Sequence, residues 1–259
     1  MAGGTDLVVQ DGRDIRCLVD ITRLGLSYIR RDRDAWAIGA TTTMAEIQDS
    51  PAIRALAGGI LAQAAACCGS IQIRNMATIG GNLANASPAA DTATPLLALD
   101  AAVVMADERR RRGAPLDGFF RGPGETVLGA GLLVEIRIPE PPRRGRSGWS
   151  FQKLGRTETD IALVNVAAGL GVDSRGACKW ARLALGAVGP VPMRAHGAEK
   201  LLVGRMLERG PIEEACAAIG REIQPVGDIR ASAEYRREAA RVLAGRALEE
   251  CAEQAGVAL

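Results

Sequence analysis

The spacing of apolar residues in the first part of the chain predicts short strands that alternate with helices. Residues 35–39 have the composition and length of a strand. Thr43 precedes Glu46 by three positions, which is the pattern of a capping box that opens a helix. Apolar residues then recur with helical spacing across 53–64. This stretch is predicted to form one helix of about four turns, with a single apolar stripe that packs into the core.

A strand, a polar tip and a returning strand are predicted next. Residues 102–106 form the first strand of this pattern, and residues 107–113 form its polar tip. The return is predicted at 132–138, where apolar and polar positions alternate until Pro139 stops the strand.

A connector divides the chain into two predicted domains. Residues 139–148 are rich in proline, arginine and glycine, which is typical of a linker. We therefore expect a first domain of residues 1–142 and a second domain of residues 147–259.

The second domain is predicted to be an α+β unit. A helix is expected around 160–168, a strand around 179–185, and three helical stretches after them, of which the last spans 232–254. In that last helix, apolar residues are expected on one face and charged residues on the other. The apolar set is Tyr235, Ala239, Val242, Ala247, Leu248 and Cys251, and the charged set is Arg236, Arg237, Arg241 and Glu249.

Composition narrows the possible functions. The 259 residues are 47% hydrophobic and 24% charged, so the chain can bury a core. The net charge of +2 gives little electrostatic attraction to nucleic acid or to an anionic membrane, and aromatic residues are only 3%. We expect no binding to nucleic acid and no membrane insertion. The start of the chain lacks the pattern of a signal peptide, so a cytoplasmic protein is predicted.

The sequence offers few residues for acid–base, nucleophilic or metal chemistry. His196 is the one histidine, and neither a GxSxG motif nor a Walker A loop occurs. The six cysteines form no CxxC pattern, so reduced, mostly buried thiols are expected. We predict no catalytic residue and no metal site on this chain.

Two glycine pairs are the strongest candidates for a binding site. They are Gly3-Gly4 and Gly80-Gly81. Consecutive glycines can adopt positive φ, so that neighbouring amides point into one concavity and hold an anion such as a diphosphate. Each pair alone is more often a simple turn. The second pair, however, lies within residues 73–91, a stretch of small side chains, amides and hydroxyls that predicts a loop wrapped on a ligand.

Several motifs in a fixed order give the chain a family resemblance. The motifs are AGGTDL at 2–7, IGATTT at 38–43, IRNMATIGGNLANASPAAD at 73–91, KLGRTETDIALVNVA at 153–167, and DIRAS at 228–232 followed by Tyr235-Arg236. With these motifs the chain resembles the flavin-binding subunit of the molybdenum hydroxylases. That group includes the medium subunit of carbon monoxide dehydrogenase and the FAD domain of xanthine dehydrogenase. The resemblance covers nearly the whole chain.

The resemblance implies an α+β fold with FAD-binding lobes of the vanillyl-alcohol-oxidase-like (PCMH) type. FAD would lie between a partial N-terminal lobe, residues 1–30, and a middle lobe, residues 31–142. A C-terminal domain of a small sheet plus helices, residues 147–259, would follow. In the family a strand and a helix precede the first glycine motif, so we expect a truncated N-terminal lobe here.

The resemblance also implies the cofactor-binding residues. Gly3, Gly4, Thr5, Thr78, Gly80, Gly81 and Asn82 would hold the diphosphate of FAD. Asp91 would bind polar groups of the cofactor, while Val134 and Lys153 would lie near the flavin. A positive Lys153 would favour the reduced, anionic flavin. The whole implied set is Ala2, Gly3, Gly4, Thr5, Asp6, Thr41, Thr78, Ile79, Gly80, Gly81, Asn82, Asn85, Ser87, Asp91, Val134 and Lys153.

Simpler interpretations stay open for individual residues. Lys153 could be an ordinary surface lysine, and Asp91 could cap a helix over 92–99. Arg156 and Asp160 could face the cofactor or a partner subunit, or could form an intrachain ion pair.

The same applies to two further features. The basic run 109–112 could dock a partner, but a solvated hairpin tip is the plainer interpretation. His196 could be functional, although a loop or helix-start position accounts for it equally simply. Neither feature is needed for the family resemblance.

The implied function is electron transfer through FAD within a three-component hydroxylase. A large subunit with molybdopterin would oxidise the substrate, and a small subunit with two 2Fe-2S clusters would pass electrons to the flavin on this chain. An external acceptor would then receive them, and the complex is expected to be a dimer of heterotrimers. Two alternatives are a structural subunit with weak or lost FAD binding, and a stand-alone flavin oxidoreductase. The substrate pocket would lie on another subunit.

Overall fold

The computed structural model describes residues 1–10, 15–142 and 145–259. Up to residue 28 the described backbone forms turns and irregular segments, and the first strand begins at Ile29. The amide of Ile21 donates to the carbonyl of Met1 (3.1 Å), so the start of the chain lies against this irregular segment. The predicted lobe of residues 1–30 therefore has no helix, and its only strand residues are the first two of β1, within the described part.

The first domain combines a five-stranded sheet with short helices. Its strands are β1 (Ile29–Asp32), β2 (Ala35–Gly39), β3 (Ala102–Ala106), β4 (Arg111–Pro115), β5 (Phe120–Gly122), β6 (Glu125–Thr126) and β7 (Leu132–Pro139). Its helices are α1 (Met44–Asp49), α2 (Pro51–Ala55), α3 (Ile60–Ala66), α4 (Ile71–Met76), α5 (Ile79–Ala84) and α6 (Ala93–Ala98), with 3₁₀ turns at Leu56–Gly59 and Leu116–Gly118.

The five-stranded sheet is antiparallel in the order β1-β2-β7-β3-β4, and β5 pairs with β6. Alternate residues on one face, among them Ile38, Val103 and Ile136, are fully buried against the helices. That burial explains why apolar and polar residues alternate at 134–138, because this face of the sheet meets the core.

The C-terminal domain is a four-stranded antiparallel sheet with helices on one face. Its elements are β8 (Arg146–Leu154), β9 (Val164–Val172), β10 (Cys178–Gly186), β11 (Met193–Arg194), α7 (His196–Leu202), α8 (Arg209–Glu222) and α9 (Ala233–Gln254). The strand order is β11-β10-β9-β8. One face packs on α7, α8 and α9, and the other face contributes Trp149, Phe151 and Trp180 to the core of the first domain. The two domains therefore share a hydrophobic core.

Several predicted elements are confirmed. The strand at 35–39 is β2, the strand at 102–106 is β3, and the strand around 179–185 is β10. Thr43 and Glu46 form the predicted capping box, with the Thr43 side chain accepting from the Glu46 amide. Ser232 caps the last helix through a hydrogen bond from the amide of Tyr235.

The predicted continuous helix over 53–64 is wrong. The segment is broken into α2, a 3₁₀ turn and α3, because Ala57, Gly58 and Gly59 adopt left-handed φ values of 48°, 63° and 75°. The glycines make such a kink inexpensive. The apolar stripe is still buried, since Ile53 and Ile60 are both in the core on either side of the kink.

The predicted helix around 160–168 is also wrong. The residues from Val164 form β9, which lies between β8 and β10 and is buried along its whole length. A strand covered on both faces has a continuous apolar sequence, which periodicity cannot distinguish from a buried helix.

Two finer expectations need correction. The strand that returns from the polar tip after β3 is β4, which begins at Arg111 inside the predicted tip, while β7 pairs with β3 on its other edge. In α9, Arg236 is buried and Tyr235 and Val242 are exposed, contrary to the predicted division of faces. Arg236 is buried because its guanidinium bonds both Asp228 and the backbone of Leu163.

Across the described ranges, no helix has the length and apolar character needed to cross a bilayer. The same ranges contain no group of three or more histidine, cysteine, aspartate and glutamate side chains placed to hold a metal ion.

Candidate functional site

A cavity of about 490 Å³ lies where the two glycine motifs meet. One wall is the first motif, the second is the segment from α4 to residue 91, and the third is the loop between β8 and β9. Of the predicted site residues, those that line the cavity are Ala2, Gly3, Gly4, Thr5, Asp6, Thr78, Gly81, Asn82, Asn85, Ser87 and Asp91. Motifs about 75 residues apart in sequence therefore line one cavity, and the volume of this cavity is usual for a ligand pocket.

The first glycine pair has the properties of an anion-binding turn. Gly4 has a φ of +69°, which suits glycine, and a β-carbon at Gly3 would lie 1.8 Å from the carbonyl oxygen of Met76. Among the residues that the structure describes, none accepts a hydrogen bond from the amides of Gly3, Gly4 or Thr5. Free amides on a cavity wall suit a ligand that supplies its own acceptors.

The second glycine pair is helical, and the prediction of a loop with positive φ is wrong there. Thr78 caps α5, its hydroxyl accepting from the amide of Gly81 (3.1 Å). The amide of Gly80 donates to the carbonyl of Ala40 (2.9 Å), and a β-carbon at Gly80 would lie 2.6 Å from that of Ala40. Gly80 is thus required for close packing of α5, while Gly81 lies on the cavity wall.

The IGATTT segment holds the second motif in place on the side away from the cavity. The amide of Ile79 donates to the carbonyl of Thr42, and the amide of Met44 donates to the carbonyl of Ala77. These bonds fix α5 against the turn between β2 and α1. They explain why the two stretches of sequence occur together, although residues 38–43 do not reach the cavity.

Side-chain amides on the cavity wall are oriented by neighbouring polar groups. The hydroxyl of Thr92, which is fully buried, donates to the side-chain oxygen of Asn82 (2.6 Å). This leaves the NH₂ group of Asn82 as a donor for a ligand. The side-chain oxygen of Asn85 accepts from Gln10 (3.2 Å), which joins the first segment to the second motif.

Asp91 is held at the cavity wall by two residues of the C-terminal domain. The ammonium of Lys153 lies 2.7 Å from one carboxylate oxygen, and the side-chain amide of Asn165 donates to the other (3.1 Å). Lys153 also donates to the carbonyl of Cys67 (2.8 Å). Burial raises the pKa of Asp91, and the charge of Lys153 and the two hydrogen bonds partly offset that rise.

These contacts settle two open alternatives. Lys153 is not a surface lysine, because its side chain is only 7% exposed. Asp91 does not cap α6 with its side chain, since the cap residue is Thr92 and the Asp91 carboxylate is engaged elsewhere.

Five predicted site residues lie outside the cavity lining. They are Thr41, Ile79, Gly80, Val134 and Lys153. Thr41 is buried and its hydroxyl has no partner in the described part of the chain. Val134 is buried on β7, where its carbonyl accepts from the amide of Ala40. Lys153 reaches the wall through Asp91.

Sequence reasoning missed part of the cavity. Cys68 and Gly69 follow α3, and the loop of Thr159 and Ile161 comes from the C-terminal domain. The TETDIA stretch of the fourth motif signalled that loop, and Asp160, a secondary candidate, does line the cavity. Cys68 had no signal in the sequence. Burial raises its pKa to about 12, so it is an unreactive thiol.

Of the remaining candidates, only Asp160 lines the cavity. Arg156 and Asp160 approach to 3.8 Å as an exposed ion pair. The side chains of 109–112 are exposed around the start of β4, and His196 is the first residue of α7. His196 lies 3.3 Å from Asp117 of the first domain, away from the cavity.

Comparison with known proteins shows the family to which this chain belongs. Residues 1–141 match the family model of the FAD binding domain in molybdopterin dehydrogenase, and residues 149–251 match that of the CO dehydrogenase flavoprotein C-terminal domain. The chain belongs to the FAD-binding subunits of the molybdenum hydroxylases. It is therefore the FAD-binding subunit of a multi-subunit dehydrogenase.

Individual relatives agree with this assignment. The chain is 33% identical to the nicotinate dehydrogenase FAD-subunit of Eubacterium barkeri over 249 residues, covering 92% of this chain and 82% of the relative. It is 32% identical to the carbon monoxide dehydrogenase medium chain of Hydrogenophaga pseudoflava, covering 89% and 80%. The fold matches a crystal structure of Cu,Mo-CO dehydrogenase with a TM-score of 0.92 at 31% identity, covering 98% and 89%. The recognition made from the motifs is confirmed.

The residues present fit FAD as the family cofactor. The free amides beside Gly3 and Gly4 can receive a diphosphate without a lysine, because backbone donors in a concave turn bind anions. The β-carbon that a larger residue would place at Gly3 would displace the second motif from this wall. The polar groups of Asn82 and Asp91 can meet the hydroxyls and heterocyclic edges that FAD also presents.

Proposed function

We propose that this subunit accepts electrons from the 2Fe-2S clusters of a small partner subunit and passes them to an external acceptor through bound FAD. The observation that supports this best is the cavity built jointly by the two glycine motifs and by a loop of the C-terminal domain. A binding site of this construction argues against a purely structural subunit, because its walls are assembled from motifs far apart in the chain.

Within this proposal, each wall of the cavity has its own task. The amides of Gly3, Gly4 and Thr5 receive the diphosphate, and Asp6 and Ala2 complete that turn. Thr78, Gly81, Asn82, Asn85 and Ser87 line the opposite side, where hydroxyl and amide groups bind polar groups of the cofactor.

Other predicted site residues act indirectly in the proposed site. Ile79 and Gly80 hold α5 in place through their backbone hydrogen bonds. Thr41 and Val134 lie in the adjoining strand and turn segments, on the side of α5 away from the cavity. Lys153 acts through Asp91, because the ion pair with that carboxylate neutralises the positive charge of the lysine. A net positive charge next to the flavin, as the resemblance implied, is therefore not part of the proposed mechanism.

FAD, when bound, supplies the redox chemistry, and the protein supplies position and electrostatics. The chain binds the diphosphate through uncharged donors and keeps Asp91 and Lys153 paired. None of these tasks requires an acid or base acting on an organic substrate.

The proposal includes the partners and the location. A small 2Fe-2S subunit and a large molybdopterin subunit would assemble with this chain as a dimer of heterotrimers in the cytoplasm. FAD lobes of the vanillyl-alcohol-oxidase-like type are the finer fold assignment that goes with it. The relatives support the partners, since one is a medium chain by name.

Coexpression with the partner subunits tests the proposal. The purified complex should show a flavin band in its visible spectrum and release FAD on denaturation. After addition of the complex's substrate without acceptor, that band should bleach, and it should recover when an acceptor is added. A complex without flavin would favour the structural subunit, and turnover by this chain alone would favour a stand-alone oxidoreductase. Either result would overturn the proposal.

A further inference from the structure

Two neighbouring residues in one row of the C-terminal sheet hold the carboxylate of Asp91, and a third residue lies beside them. Lys153 on β8 pairs in register with Asn165 on β9, and Asn165 pairs with Gly186 on β10. Lys153 and Asn165 each donate to one oxygen of Asp91. Neither lines the cavity, whereas Asp91 does. The C-terminal domain therefore reaches the cofactor site through a residue of the first domain.

The surroundings of Asn165 indicate that its hydrogen bond, rather than packing, is the reason for asparagine at this position. It is fully buried, its amide nitrogen donates to Asp91, and its side-chain oxygen has no partner in the part of the chain that the structure describes. A β-carbon at Gly186 would lie 2.2 Å from that oxygen, so glycine is needed to admit the asparagine. An unsatisfied buried oxygen costs free energy. An apolar side chain would avoid this cost, which points to the donor as the reason for asparagine.

A second contact holds the same segment. The amide of Ala187, next to Gly186, donates to the carbonyl of Pro88 (2.7 Å). The Ser-Pro-x-x-Asp stretch is thus attached to the C-terminal domain at Pro88 and again at Asp91. The backbone and the carboxylate of this wall are fixed independently of each other.

We propose that Asn165 is a positioning residue of the cofactor site, which with Lys153 orients the Asp91 carboxylate to accept hydrogen bonds from donor groups of FAD. The inference rests on the proposed site. A carboxylate repels the diphosphate, so Asp91 faces a part of the cofactor that carries hydroxyl or N–H donors. Asn165 contributes a hydrogen bond to the charged carboxylate without adding a charge.

The pH dependence of FAD binding separates positioning from general stability. The titratable groups beside the carboxylate are Lys153 and the thiols of Cys67 and Cys68. Burial raises the pKa of both thiols, so they stay neutral at ordinary pH. Asp6 and Asp160 also line the cavity, so a loss of FAD affinity at low pH (the acid limb) is assigned to Asp91 by comparison with Asp91→Asn. Losing a hydrogen bond to the ionised form raises the pKa of a carboxyl group.

The test uses the full chain in complex with its partner subunits, depleted of flavin and titrated with FAD. Fluorescence quenching gives the dissociation constant from about pH 5 to about pH 9. In Asn165→Leu, the acid limb should move up by about one pH unit, which is about a tenfold loss of affinity on that limb. Asn165→Ser should do the same and serves if the leucine variant does not fold. Val166→Ala, on the same strand but facing the helices, should leave the limb unchanged.

A double variant sharpens the test. In an Asp91→Asn background, the acid limb should be absent and replacing Asn165 should shift nothing further. An equal loss of affinity at every pH in Asn165→Leu would mean a merely structural role and would overturn the inference. A limb shift that persists without Asp91 would do so as well. If the unaltered complex binds no FAD, the proposed function itself fails, which is a separate result.

Discussion

Gly3 lies so close to the carbonyl oxygen of Met76 that a β-carbon would be 1.8 Å from it. This contact joins the first glycine motif to the end of α4, immediately before Thr78 and the second motif. Two segments far apart in the sequence can therefore lie in contact because Gly3 has no β-carbon. Gly3 and Ala77, the residue after Met76, both line the cavity.

Replacement of Gly3 by alanine should weaken FAD binding. The methyl group has backbone rather than a flexible side chain as its neighbour, so the first segment must move away from Met76. We expect the FAD dissociation constant to rise by at least about tenfold, equivalent to about 1.4 kcal/mol. Fluorescence titration measures it. Gly210→Ala in α8, where a β-carbon meets open space, is the control, and equal affinity in both variants would contradict the prediction.

Lys153→Met should destabilise the protein because it leaves the buried Asp91 carboxylate without its counter-ion. Removing one member of a buried pair costs about 3 kcal/mol. Since burial raises the pKa of Asp91 above its unfolded value, its contribution to stability is complete below the unfolded pKa and is lost as pH rises through the folded pKa. Without Lys153 that folded pKa rises further.

The loss in Lys153→Met should therefore be largest near neutral pH and should shrink as the pH falls and Asp91 becomes protonated. Urea unfolding at several pH values measures it. The double variant with Asp91→Asn should recover part of the stability at neutral pH. A loss that is the same at all pH values would show that the ion pair is not its cause.

Local sequence patterns correctly predicted those elements that depend on residues close to them in the chain. The capping box at Thr43 and the half-buried strand β2 depend on neighbours within a few residues, and both were correct. Strand β9 failed because its sequence is apolar on both faces, and only its neighbours β8 and β10 make it a strand. The helix over 53–64 failed at Ala57, Gly58 and Gly59, where the glycine pair allows a break that the spacing of apolar residues does not show.

The sequence predicted those site residues that belong to the recognised motifs and line the cavity. Gly3, Asn82 and Asp91 were found through their motifs, and the structure brings them to one cavity. Asn165 was inside a recognised motif but not singled out, because its role depends on the register of β8, β9 and β10. Pairing across strands is long-range information that spacing along the chain does not contain.

Arg236→Gln should loosen the cavity wall formed by the loop between β8 and β9. The buried guanidinium donates to the carbonyl of Leu163 at the base of that loop and to Asp228. The backbone amide of Arg230 is the largest cause of the lowered pKa of Asp228, and the hydrogen bond from Arg236 lowers it further. Losing these bonds should reduce the free energy of unfolding by about 1–3 kcal/mol. It should also weaken FAD binding, because Asp160 is part of the loop.

The control for this prediction is Arg246→Gln, on the exposed face of the same helix. It should alter neither stability nor FAD affinity. Hydrogen exchange of residues 155–163 should be faster in Arg236→Gln alone. Unchanged exchange in this loop would mean that Arg236 does not hold it.

Arg194→Gln should weaken the attachment of the two domains to each other. Arg194 is buried and binds Glu199 through two hydrogen bonds (2.6 and 2.8 Å), while its remaining nitrogen donates to Asp100 of the first domain (2.6 Å). Without the guanidinium, the buried Glu199 keeps the backbone amide of Leu183 as a donor but loses its counter-ion. We expect a loss of about 3–5 kcal/mol in the free energy of unfolding.

A second ion pair, on the protein surface, is the control for the effect of burial on Arg194. Arg205 binds Glu214 with similar geometry, at 2.6 and 3.3 Å, but on the protein surface. Arg205→Gln should therefore leave stability within experimental error, since water and salt screen an exposed ion pair. Because the core is shared between the domains, Arg194→Gln should still unfold in one transition, at a lower denaturant concentration. Two separate transitions would show instead that the Arg194 contact, rather than the shared core, couples the domains.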